Sequence, residues 1–110
     1  MKRYYLALDL KDDPKLIAEY EGHHKKISKE ILDSIKNSGI HRMELFRAGN
    51  RMLMIMEVEN SFSFEEKEKM DKADPAVQRW ETLMWNYQQA LPFAKPGEKW
   101  VLLKKFFDTK

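Results

Sequence analysis

The chain has 110 residues, and its 20 lysines and arginines against 18 aspartates and glutamates leave a net charge of only +2. The signs are interleaved, as in KEILDSIK and EEKEKMDK, which excludes the one-sided basic stripe of a nucleic-acid module. Cysteine is absent, which excludes a disulfide framework, a thiolate nucleophile and a cysteine-based zinc site. The length fits one domain, residues 1–110, with a core that gains from a partner subunit. Asp9, Lys11, Asp12 and Asp13 interrupt any signal-peptide core, and the longest apolar runs, such as Met52 to Met56, are strand-length. The expected location is the cytoplasm, with no membrane contact.

Arg3 to Leu10 alternates Tyr4, Leu6, Leu8 and Leu10 against Tyr5, Ala7 and Asp9, the pattern of a strand. Asp13-Pro14 is an N-cap followed by proline at the first helical position. The spacing predicts one helix from there to about Ser38, stopped by Gly39. Arg42 to Phe46 and Met52 to Val58 read as strands joined by a tight hairpin at Ala48-Gly49-Asn50. Ser61 or Ser63 caps a short helix through Met70, with Glu65 and Glu66 in its first turn. Asp74-Pro75 opens a further helix from Ala76 to about Ala90, and Lys99 to Phe107 is the closing strand after a loop containing Pro92, Pro96 and Gly97. The order β-α-β-β-α-β is the α+β ferredoxin-like, or split βαβ, arrangement.

A sheet with helices on one face leaves the other bare. Met52, Met54, Met56, Tyr5, Trp100, Leu102 and Phe106 supply more large apolar groups than one covered face needs, although alternation does not say which face meets the helices. Packing two such faces together as a homodimer, a dimeric α/β barrel, removes the exposed surface.

Chemistry-bearing residues are few. Leu16, Tyr20, His24, Ile27, Ile31 and Ile35 share one face of the predicted first helix, so a phenol and an imidazole occupy places where packing asks for aliphatic carbon. On spacing alone, a satisfied core pair is the commoner cause of this pattern than a catalytic one. The three histidines, His23, His24 and His41, form no HExxH motif, and no GxGxxG, GxxxxGK[ST] or GxSxG motif occurs. Proton transfer by His, Tyr, Asp and Glu is what remains, with no metal. A second cluster is QRWETLMW: Val77, Trp80 and Met84 share a helix face, and Glu81 and Trp85 share the next. Trp80 and Glu81 read either as a core anchor beside a surface charge, or as an aromatic wall for a sugar beside a carboxylate that grips hydroxyls.

On EYEGHH, FRAGNRMLMIMEVE and VQRWETLMW the chain resembles the L-rhamnose mutarotase family, small dimeric α/β-barrel proteins that interconvert sugar anomers, over nearly its whole length. The resemblance implies that the Tyr-x-x-x-His pair is Tyr20 and His24, with the histidine as proton donor and the tyrosine touching substrate. It also implies that the tryptophan after Gln-Arg is Trp80. Three positions depart from the rhamnose pattern: Glu81 replaces a second tryptophan, Met43 a substrate-contacting tyrosine, and Ser28 a tryptophan. They point toward the branch labelled L-fucose mutarotase.

Mutarotation passes through the open-chain aldehyde, with a proton placed on the ring oxygen and one removed from the anomeric hydroxyl. An imidazole, which in water titrates at about 6.5, serves both directions. The expectation is that His24 donates to the ring oxygen, Tyr20 fixes the sugar and, as the second catalytic residue, relays the other proton, Trp80 stacks on the sugar and Met43 borders it. Glu81, assigned from its chemistry alone, holds hydroxyls or acts as complementary base. No cofactor is implied, and the partner is a monosaccharide. Dimeric ferredoxin-like barrels also bind heme or act as cofactor-free oxygenases, and a non-catalytic sugar-binding module fits the same residues.

Overall fold

The computed structural model describes residues 1–110. Strand β1 (Lys2–Leu10) pairs antiparallel with β3 (Arg51–Val58) from Lys2↔Val58 to Asp9↔Arg51. Strand β2 (Ile40–Ala48) pairs antiparallel with the far edge of β3, with an irregularity in register between Ile40 and Arg42. Gly49, at φ +60°, makes the predicted hairpin turn, where a side chain would be strained. The free edge of β1 carries two short antiparallel strands, β4 (Gln88–Gln89) against Leu10 and Asp9 and β5 (Val101–Leu102) against Ala7 and Leu6. The sheet order is thus β2-β3-β1-β4, with β5 continuing the last position.

Helices α1 (Pro14–His24), α2 (Lys29–Asn37), α3 (Phe64–Ala73) and α4 (Pro75–Trp85) cover one face of this sheet. Alternation along the strands decides what they meet. Leu8, Leu10 and Met52 pack with Tyr20 of α1 and Met84 of α4, and a second group joins Leu6, Ile40, Met56 and Val58. The methionines of β3 and Trp100 therefore belong to the helix side and not to the bare face. The bare face carries Tyr5 and Phe46, which stay 41% and 49% exposed, with Leu53 and Ile55 half-buried between them. Asp9, also on that face, is buried but receives both arms of the Arg51 guanidinium at 2.8 and 3.0 Å.

Three predicted elements change. The long first helix is two helices: α1 ends at His24, and Ser28, in extended conformation, caps α2 by accepting from the Ile31 amide at 3.4 Å. His23, His24, Lys25 and Lys26 favour a C-terminus there, because cations complement the negative helix end. Leu16, Tyr20 and His24 thus sit on one helix, and Ile31 and Ile35 on another. The last helix stops at Trp85, short of Ala90, because Gln88 and Gln89 leave it to bond the edge of β1. The closing strand shrinks from Lys99–Phe107 to Val101–Leu102, and the Leu103 amide makes the last bond onto β1, to the Tyr5 carbonyl at 2.8 Å.

Candidate active site

Asp13 caps α1 by accepting from the Lys15 and Leu16 amides at 2.9 and 3.4 Å, which fixes the helix that presents Tyr20 and His24. His24 Nδ1 lies 2.9 Å from the Tyr20 carbonyl oxygen. A carbonyl only accepts, so Nδ1 carries a proton and Nε2 is the nitrogen left to exchange one. The His24 ring stands 4.6 Å from the Tyr20 ring and 5.3 Å, edge-on, from Trp80 of α4.

Tyr20 is 3% exposed, and Gln88 Nε2 donates to its hydroxyl at 3.2 Å. Burial pushes the Tyr20 phenol above its ordinary value, against a smaller opposing effect of the Gln88 hydrogen bond. Tyr20 is therefore a neutral, partnered core residue whose carbonyl and ring hold His24 in place. Burial and the Gln88 bond give the tyrosine a packing role at the wall of a cleft. They do not account for Nε2 of the histidine.

Two hollows adjoin this group. A cavity of about 310 Å³ lies between the sheet and α2, α3 and α4. Its wall is mostly apolar, with Met43, Met54, Met56, Trp80 and Trp100, and its polar members include Lys67, Asp71, Glu81 and Gln88. That size and make-up fit a small-molecule site. A cleft of about 240 Å³ is lined by Tyr20, His24, Arg47, Met52 and others. Three of the five predicted site residues, Met43, Trp80 and Glu81, line the cavity, whereas Tyr20 and His24 line the cleft. Trp80 joins them, since its indole borders the cavity and meets His24 edge-on. Gln88 also links them, through the Tyr20 hydroxyl.

Other polar residues were placed differently or missed. Ser28 is the cap of α2 and lines neither hollow. His23 bonds the Tyr87 hydroxyl at 3.2 Å, and His41 pairs with Glu59 at 2.6 Å on the surface. No three His, Asp or Glu side chains are grouped as a metal ion requires. Lys67, Asp71 and Gln88 carry no motif. The signal for the first two was their spacing: Phe64, Lys67 and Asp71 recur at three and four residues and so share one helix face.

A family profile described as L-rhamnose mutarotase matches residues 3–109. Over 102 residues, 91% of this chain and 82% of the relative, the sequence is 43% identical to an L-fucose mutarotase of Xanthomonas campestris. The fold superposes on the crystal structure of an L-rhamnose mutarotase from Formosa agariphila with a TM-score of 0.72 at 16% identity, covering 100% of both chains. It also superposes on a dimeric ferredoxin-like protein from an uncultured marine organism with a TM-score of 0.53 at 9% identity, covering 98% of this chain and 91% of the other. These two likenesses give the ferredoxin-like α+β fold; the sequence match covers almost every residue, and on it this chain belongs to the L-rhamnose mutarotase family of carbohydrate isomerases.

Proposed function

We propose that this protein interconverts the α and β anomers of a 6-deoxy-L-hexose, L-fucose or L-rhamnose, with His24 as the acid–base group. The observation that carries the reading is the committed geometry of His24, whose Nδ1 is tied to the Tyr20 carbonyl while its ring abuts Trp80 in the cavity wall. Proton exchange then falls to Nε2. With Nε2 protonated, His24 gives that proton to the ring oxygen O5 while the Glu81 carboxylate takes the proton of the anomeric O1. The C1–O5 bond breaks, C1=O1 forms, and the open-chain aldehyde turns its other face toward O5. Reclosure returns each proton to its donor. The reaction written this way balances without a cofactor or metal.

Trp80 stacks on the apolar C–H face of the sugar, and Met43 of β2 forms part of the wall around it. In this reading the reacting end of the sugar lies beside Trp80, the residue that borders the cavity and meets the His24 ring edge-on. Tyr20 acts as a positioning residue through His24. L-fucose takes precedence because the relative named for it is 43% identical and Glu81 and Met43 depart from the rhamnose pattern. The protein works in the cytoplasm; no helix is long and apolar enough to cross a membrane.

It acts as a homodimer through the bare sheet face around Tyr5 and Phe46. Sedimentation equilibrium is expected to give twice the 13.2 kDa chain mass and the Phe46→Glu variant a monomer; a monomeric wild type rejects the dimer.

NMR measurement of anomer exchange tests the catalytic reading. Wild type is expected to speed exchange of L-fucose or L-rhamnose over buffer. Folded His24→Ala is expected to lose about 10²–10⁴-fold, the usual contribution of a positioned acid–base group. Full exchange in that variant rejects the reading, and saturable binding without exchange identifies a binding module instead.

A further inference from the structure

Asp71 Oδ1 is a buried side-chain oxygen with no hydrogen-bond partner. Asp71 itself is 9% exposed and forms part of the cavity wall. Its other oxygen accepts from Lys67 Nζ at 2.6 Å, one helical turn earlier. A carboxylate offers about four acceptor positions, so most of its capacity is unused. Buried polar groups left in that state are rare, and each calls for a cause.

The surrounding helix sharpens the point. Phe64, Lys67 and Asp71 share the cavity-facing side of α3, while Met70, the apolar residue next to Asp71, stays 39% exposed. The polarity of the helix is inverted at this level: the charges point in and the methionine points out. Packing does not ask for this, because an apolar pair of similar volume is generally neutral or stabilising relative to a buried ion pair. Gln78 Nε2 of α4 donates to the Asp71 backbone carbonyl at 2.8 Å, so the turn that carries the carboxylate is pinned to the helix that carries Trp80.

We propose that Asp71, held by Lys67, is a specificity-determining residue of the sugar site, its carboxylate accepting hydrogen bonds from one or two adjacent ring hydroxyls. The donor class matches a neutral polyol, whose hydroxyls supply what the orphan oxygen lacks, while Trp80 and the methionines of the wall face its C–H surface. The inference rests on the sugar reading of the cavity and assigns hydroxyl recognition chiefly to Asp71, leaving Glu81 to the anomeric proton.

The test compares wild type and Asp71→Asn on L-fucose and on its monodeoxy analogues, with anomer exchange and NMR-detected binding as readouts. The amide keeps the size and replaces a charged acceptor. KM and Kd for L-fucose are expected to rise about 10–100-fold, the range of a hydrogen bond to a charged group, with kcat changed by less than about threefold. One monodeoxy sugar is expected to bind wild type as weakly as L-fucose binds the variant, and to bind the variant no more weakly still. If Asp71→Asn fails to fold, Lys67→Met combined with Asp71→Leu, which keeps an apolar volume there, is expected to fold and show the same loss. Unchanged KM in a folded variant, or equal penalties for every analogue in both proteins, overturns the inference and leaves the mutarotase reading standing. A wild type that neither binds nor exchanges either sugar overturns both.

Discussion

Helices α1 and α3 each turn a polar pair, four residues apart, toward the interior: Tyr20 with His24, and Lys67 with Asp71. The two pairs are finished differently. On α1 the Tyr20 hydroxyl is taken up by Gln88, and His24 Nδ1 by a carbonyl of its own helix. On α3 the ion pair leaves Asp71 Oδ1 with nothing. The α1 pair leaves only His24 Nε2 free, on a ring whose orientation its partnered atoms hold; the α3 pair leaves a buried carboxylate oxygen free. The first suits the orientation of a proton-transferring imidazole, and the second suits recognition of a ligand.

If this contrast is right, the α1 pair is part of the fold and the α3 pair is not. Tyr20→Ala should destabilise most, by about 3–5 kcal/mol in urea unfolding, the range for removing a large buried aromatic side chain. Tyr20→Phe keeps the ring and leaves Gln88 without its acceptor, which should cost about 1–3 kcal/mol. The same variant tests the raised pKa of Tyr20. A phenol held protonated in the fold stabilises fully below the unfolded value of about 10, and that contribution is lost as pH rises beyond it. Wild-type stability should therefore fall above that pH, and Tyr20→Phe should show less of the fall. Smallest of all, Lys67→Met with Asp71→Leu should leave the unfolding midpoint equal to wild type or higher. A large loss in that double variant would make the α3 pair structural and erase the contrast.

The sheet was legible because its signals are local. Alternation along β1, the Asp13-Pro14 and Asp74-Pro75 starts and the Gly49 hairpin each act within a few residues, and each element appears where they put it. The closing edge was not, because Lys99–Phe107 has strand-like composition but pairing depends on where β1 has an open edge. Two short stretches separated by the loop over residues 90–100 fill that edge instead. The break at Lys25–Ser28 was visible in Ser28 and the basic run before it, but the isoleucine spacing continues across the gap and hides it.

For the candidate site, motif and resemblance pointed to His24 and Trp80, whose rings meet edge-on at 5.3 Å, Trp80 in the cavity wall and His24 in the cleft. That Tyr20 would turn its hydroxyl toward Gln88 depends on a residue 68 positions away and has no local mark. Asp71 was hidden because EEKEKMDK reads as a solvated charge run. Spacing puts Phe64, Lys67 and Asp71 on one helix face, but only the placement of α3 shows that this face borders the cavity.

The most direct measurement places His24→Ala and Tyr20→Phe side by side in an L-fucose anomer-exchange experiment, at equal concentrations of folded protein. Chemistry at His24 with Tyr20 acting only through position predicts a loss of about 10²–10⁴-fold for the first variant and less than about tenfold for the second. Exchange that survives in His24→Ala, or that is lost equally in Tyr20→Phe, would contradict it.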